Sequence, residues 1–233
     1  MIPLKDNVPT HTLPIIAVSL IFVNILIFLW QRLVLQGPAG EALYGYYGFV
    51  PREFMVSVMT RWDLIPYNIM TLFSSMFLHG GFFHLAGNML YLWIFGNNVE
   101  DAMGHMKFIV FYLFSGLAAA GFQVFYDPSS TIPMIGASGA ISGVLGAYLV
   151  LYPYARIKTL LIIIIFIKIV ELPAMLLLTI WFFMQVLYST STEGVAWYAH
   201  IGGFIFGLLL VKVFAWKSTG KSRRVKKPSR AQL

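Results

Sequence analysis

Ser138 stands in the run Gly136-Ala137-Ser138-Gly139, and His200 in Ala199-His200-Ile201-Gly202-Gly203. A serine hydroxyl is a poor nucleophile until a base takes its proton, and histidine is the base that titrates near neutrality. Hydrolysis of an amide also needs donors for the oxyanion of the tetrahedral intermediate. His84 and Asn88 are four residues apart, so on a helix both project from one face and offer two such donors. The backbone N–H of Ser138 is a third, because a residue that opens a helix has an unpaired N–H. Gly136 and Gly139 flank the serine and allow a sharp turn and the approach of a substrate backbone. His79 lies five residues from His84 and does not share its face, which favours a supporting hydrogen bond over catalysis. No acidic residue has an evident place behind His200, since Asp127 and Glu193 both fall in loops. The expectation is therefore a Ser/His dyad, its histidine oriented by packing. There is no H-E-x-x-H and no carboxylate close to the histidines in sequence, so neither a metal nor a cofactor is expected. Taken singly, each residue has an ordinary alternative: a helix N-cap for Ser138, a hydrogen-bonded membrane histidine for His200, interhelical glue for Asn88.

The elements that must position these groups are membrane helices. The chain is 59% hydrophobic and 11% charged over 233 residues, too little charge to cover a soluble domain of that length. Cysteine is absent, which excludes disulfides and thiolate metal sites. Runs long enough for a bilayer core, which takes about 20 residues, fall at 14–35, 74–95, 106–126, 138–152, 172–188 and 195–215. The stretch 159–171 is also apolar but holds Lys168 and Glu171, and it reads as an apolar loop or half-buried lead-in to the fifth span. The fold class expected is all-α: a polytopic bundle of six transmembrane helices. The connection 36–73, rich in Gly, Tyr, Phe and Trp, suits an element lying at the membrane interface.

The net charge of +7 looks like a nucleic-acid signal, but eight of the sixteen Lys/Arg lie from Lys212 onward. A basic tail after a hydrophobic helix suits anionic lipid beside the membrane better than nucleic acid. Residues 1–216 are read as one membrane domain and 217–233 as a basic cytoplasmic tail. An even number of spans puts both termini on one side, with the tail, Arg156 and Lys158 inside. The second, fourth and sixth spans then all run inward. Ser138 opens its helix, His200 lies about five residues into its own and His84 about ten. At about 1.5 Å per residue, all three fall in the outer half of the bilayer. Gly139 and Gly143 on the fourth span, and Gly203 and Gly207 on the sixth, have the small-xxx-small spacing that lets helix backbones touch. Glu100 and Asp101, at the inner end of the second span, read as structural.

At these residues the chain resembles the rhomboid family. The GxSG motif stands at 136–139, and the pattern His79-Gly80-Gly81-Phe82-Phe83-His84-Leu85-Ala86-Gly87-Asn88 matches HxxxxHxxxN. Glu100, Gly104 and Phe108 match ExxxGxxxF, and residues 199–207 match the AHxxG/GxxxG sixth helix. The resemblance covers about 47–207. It implies a serine endopeptidase, with Ser138 as nucleophile, His200 as base and then acid, and His84, Asn88 and the Ser138 N–H as oxyanion hole. It implies transmembrane proteins as substrates, cut near the outer ends of their membrane segments. Two positions depart from the family's pattern. Ser142 stands where some members carry a tyrosine against the imidazole, and Arg61-Trp62 reverses a Trp-Arg pair of the first loop. Two rival readings are a rhomboid-like pseudoenzyme that binds membrane clients, which should lack Ser138 or His200, and a transporter, which should carry polar residues through the full depth. The length, with no transit peptide evident, suits a prokaryotic plasma membrane.

Overall fold

Apolar residues cover nearly every face of the long helices, so glycine, proline and polar punctuation set where each one starts and stops. The computed structural model describes residues 1–33, 38–163, 166–190 and 194–215. The basic tail read at 217–233 lies outside them.

After a short strand β1 (Ile2–Lys5) comes α1 (Ile15–Leu33). Three short helices follow, α2 (Pro38–Tyr47), α3 (Pro51–Met59) and α4 (Ile65–Ser74). Pro at the first turn of α3 and α4 is pre-set for a helix start and has no N–H to leave unpaired. These helices form the long first connection, where Tyr46, Met59 and Trp62 are exposed. Then come α5 (Phe82–Tyr91) and α6 (Asn97–Met103), joined without a break by a π turn at Leu92–Gly96. Gly104, at φ +82°, turns the chain into α7 (His105–Tyr126). The remaining helices are α8 (Ser138–Leu151), α9 (Ala174–Tyr188) and α10 (Trp197–Ala215).

The molecule is a polytopic, mostly helical bundle. By length and composition α1, α7 and α10 can each cross a membrane alone. The segment Phe82–Met103 meets the preceding Trp62–Phe77 at a bend of 83°. The second span therefore starts at Phe82, not at 74 as the hydropathy suggested. Gly80 and Gly81 break the helix, and it continues through Asn97, Asn98, Glu100 and Asp101 because each of these side chains makes a hydrogen bond. The apolar helices α8 and α9 are shorter. At about 1.5 Å per residue, the 14 residues of α8 reach only about 21 Å. Residues 140–148 of α8 are all buried, so neighbouring helices enclose it and it does not need the full bilayer thickness.

Close backbone contact makes that enclosure possible. A Cβ on Gly203 would overlap the carbonyl oxygen of Gly139, one on Gly207 that of Gly143, and one on Gly146 that of Phe204. The α8–α10 seam is glycine against backbone along its length. Around it Leu92, Phe95, Phe108, Phe111, Val144 and Leu145 fill the middle of the bundle with no exposed surface.

The end where α1, α7 and α9 begin is tied by polar contacts. Glu100, fully buried, accepts from the free N–H groups of Ile16 (2.9 Å) and Ala17 (2.8 Å) at the start of α1, and bonds His105 Nδ1. Asp101 accepts from the N–H (2.8 Å) and hydroxyl (2.6 Å) of Thr12. Tyr148 and Asn98 both donate to Asp6. The expectation of a structural role for Glu100 and Asp101 matches these contacts.

The reading of 159–171 as an apolar loop is corrected. Arg156–Ile163 (β2) and Phe166–Pro173 (β3) pair antiparallel, and β1 adds to β2 in the order β1-β2-β3. Ile, Val and Thr stiffen this stretch in extended backbone. The register sets Lys158 across from Glu171, while Ile157 and Thr159 turn into the protein with no exposed surface.

Candidate active site

Ser138 and His200 meet where α8 and α10 both begin. His200 Nε2 is 2.8 Å from Ser138 Oγ. The turn before the serine is fixed by Gly136, whose φ of +111° disfavours any side chain and whose N–H donates to Ser75 O at 2.8 Å. The loop leading into it is pinned by the bridge between Phe49 and Met134. Ser138 is the first residue of α8, so its N–H has no partner within the helix.

His84 and Asn88 approach the same turn from α5. A Cβ at Gly136 would lie 2.7 Å from His84 Nε2 and 3.4 Å from Asn88 Nδ2, so the missing side chain leaves the space they point toward. Asn88 Nδ2 lies 3.0 Å from His79 Nε2. His79 is fully buried, sets its ring edge-on to His84 at 5.1 Å, and holds its backbone through Gln31 and Tyr44. Gly139 faces α7 and α10 instead, with Ala119 where its side chain would be and its carbonyl against Gly203.

These groups line one cavity of about 960 Å³, with Ser138, His200, His84 and Asn88 on its wall. That is at the upper end for ligand cavities, about 300–1,000 Å³. His84, Ser138 and His200 all lie within the first turn of their helices. His84 and His200 lie nearer the starts of their helices than the sequence suggested, because α5 starts later and α10 starts at Trp197.

Four side chains of the site were missed. Gln185 of α9 places Oε1 2.9 Å from His200 Nδ1. Trp197 meets the His200 ring at right angles (5.9 Å), and Trp181 lies tilted at 6.3 Å, so two indoles take the place that Ser142 left open. Ser142 turns away and donates to Ser138 O at 2.7 Å. Gln123 of α7 accepts from the N–H of Ala199, which also donates to Ala196 O, and steadies the start of α10. A glutamine inside an apolar span was the available signal, because strongly polar groups there demand a partner. Asp127 lines the cavity but accepts from Ser129 and does not reach His200; Glu193 lies outside the described residues.

The arrangement supplies a hydroxyl, a base on it, and several N–H groups facing one space. That is what acyl transfer to serine requires.

A family model described as the Rhomboid domain matches residues 66–217. The chain is 30% identical over 144 residues to "Rhomboid protein 1, mitochondrial" of Saccharomyces cerevisiae, covering 60% of this chain and 37% of that protein. It is 29% identical over 145 residues to "Rhomboid protease AarA" of Providencia stuartii, covering 57% of this chain and 49% of that protein. To "Rhomboid protease GluP" of Bacillus subtilis it is 41% identical over 78 residues, covering 34% of this chain and 15% of that protein. The matched stretches span less than half the length of each of these relatives.

Proposed function

Because this chain belongs to the rhomboid family, we propose that it is an intramembrane serine endopeptidase working through Ser138 and His200. The observation that carries the reading is the 2.8 Å contact between Ser138 Oγ and His200 Nε2 at the wall of a cavity.

In the proposed reaction His200 Nε2 takes the Ser138 proton as Oγ attacks the scissile carbonyl carbon. The oxygen of that carbonyl becomes an oxyanion facing the Ser138 N–H, His84 and Asn88. His200 then gives its proton to the leaving amine, which departs and leaves an ester on Ser138. A water, deprotonated in turn by His200, attacks the ester and frees the enzyme. His79 and Gly136 position the oxyanion donors and the turn.

Substrates on this reading are single-pass or other transmembrane proteins, cut in or beside their membrane segments. The bundle opens its site at the extracytoplasmic end, both termini lie on the cytoplasmic side of a prokaryotic plasma membrane, and the basic tail meets lipid, not nucleic acid. A route across the membrane through the polar cluster is opposed by the apolar middle, where Leu92, Phe95, Val144 and Leu145 are fully buried.

Labelling tests the reading. A serine-reactive fluorophosphonate probe is expected to modify the purified protein in detergent at Ser138, with no labelling of Ser138→Ala. Equal labelling of Ser138→Ala would overturn it.

A further inference from the structure

Gln185 belongs to α9, whose residues are otherwise largely apolar, and is 7% exposed. Its amide makes two contacts that together determine which way it faces. Nε2 donates to the carbonyl of Trp181, one turn earlier, at 3.1 Å. A carbonyl only accepts, so the NH₂ must lie on that side, and the amide oxygen is left facing His200 Nδ1 at 2.9 Å. That oxygen also only accepts. The ring proton of a neutral His200 therefore sits on Nδ1, and the lone pair sits on Nε2, 2.8 Å from the Ser138 hydroxyl.

The indoles of Trp181 and Trp197 hold the plane of the imidazole, but apolar packing does not distinguish one ring nitrogen from the other. With Nε2 protonated, the ring would offer Ser138 a donor and could take no proton from it. Among the described residues, Gln185 is the group that opposes this tautomer by contact. A neutral amide does so without placing a second charge in a buried site, where an unpaired carboxylate would be costly.

We propose that Gln185 is a positioning residue that holds His200 in the Nδ1–H tautomer, so that Nε2 is the base that faces Ser138. The proposal rests on the protease reading above. It makes the site a hydrogen-bonded chain of three residues, Gln185–His200–Ser138, drawn from α9, α10 and α8, in place of a dyad oriented by packing alone.

The test uses the full chain in detergent with two substitutions. Gln185→Met keeps the length and apolar body of the side chain and removes both polar ends, so the fold is retained and thermal unfolding checks this. Gln185→Glu, in its neutral form, can donate to the Trp181 carbonyl and accept from Nδ1–H, reproducing both bonds. Cleavage of a transmembrane reporter is expected to lose about 10- to 100-fold in kcat in Gln185→Met, with KM within about twofold, since losing the correct tautomer disables proton transfer and leaves substrate binding intact. Gln185→Glu is expected to restore most of that loss. Histidine-selective ¹⁵N NMR is expected to show a protonated Nδ1 on His200 in the wild type and a shift toward protonated Nε2 in Gln185→Met. An unchanged tautomer in Gln185→Met, or a loss of kcat that Gln185→Glu does not restore, would overturn the proposal. The NMR readout does not depend on turnover. Failure of the protease reading would appear separately, as wild-type protein that neither cleaves nor labels at Ser138.

Discussion

His79 works at one remove from the reacting atoms. It touches no substrate space directly, yet its Nε2 lies 3.0 Å from the amide of Asn88 and its ring leans on His84, so it aims both side-chain donors of the proposed oxyanion hole. Removing a donor that acts chiefly in the transition state lowers kcat and leaves KM nearly unchanged. Asn88→Ala is expected to cost about 10²-fold in kcat, the usual effect of losing one such donor. His79→Leu should cost less, because the amide remains and only its aim is lost. Steady-state cleavage of a reporter helix separates the two, and equal losses would contradict the indirect role given to His79. Ser138, His200, His84 and Asn88 were legible in the sequence because polar types are conspicuous in so apolar a chain. Trp181 and Trp197 were not, since nothing in their type sets them apart from the many aromatics that face lipid or fill the core. Gln185 carried a readable signal that spacing alone did not connect to His200.

Helices α5, α7, α8, α9 and α10 carry the site's side chains, and the seam between α8 and α10 decides whether its two halves meet. Gly207 lies two turns below His200, away from the cavity, with its Cα against the carbonyl of Gly143. A larger side chain there cannot be accommodated by a rotamer change, because its obstacle is backbone. Gly207→Leu is therefore expected to push the helices apart, costing at least about 1–3 kcal/mol as core overpacking does. It should also abolish labelling of Ser138 although it touches no reacting group. A thermal scan in detergent together with probe labelling checks this; wild-type values for both would mean that the seam is loose. Helix positions were legible to within a few residues where an apolar run ends at a loop. The second span was misplaced because hydropathy sees neither the break at Gly80-Gly81 nor the buried partners that let Asn98 and Glu100 stay helical. The sheet escaped for a different reason. Its strand β1 is about 150 residues from its partner β2, and an isoleucine-rich run looks the same to a hydropathy scan whether it is helix, loop or strand.

The whole molecule divides along its axis into a polar, open end bearing the site, an apolar middle, and an opposite end sewn together by the N-terminal segment. Asp6 belongs to that last layer. Burial raises its pKa above the usual carboxylate value, offset only in part by hydrogen bonds from Tyr148, backbone N–H groups and Asn98. The folded state thus binds the Asp6 proton more tightly than the unfolded chain does. Its contribution to stability is present at acid pH and fades as pH rises through the folded-state pKa. Asp6→Asn, which stays neutral, is expected to unfold at higher temperature than wild type at pH 7–8, with the gap closing toward about pH 4; a gap of the opposite sign would show the charged form to be the stabilising one. These three layers serve one proposed act, the cutting of a neighbouring membrane protein. The most direct test places the purified chain in liposomes with a single-pass protein and identifies new termini by mass spectrometry. The account predicts a cut in or beside the membrane segment with wild-type protein and none with Ser138→Ala or His200→Ala. The same cut appearing at wild-type rate with Ser138→Ala would contradict it.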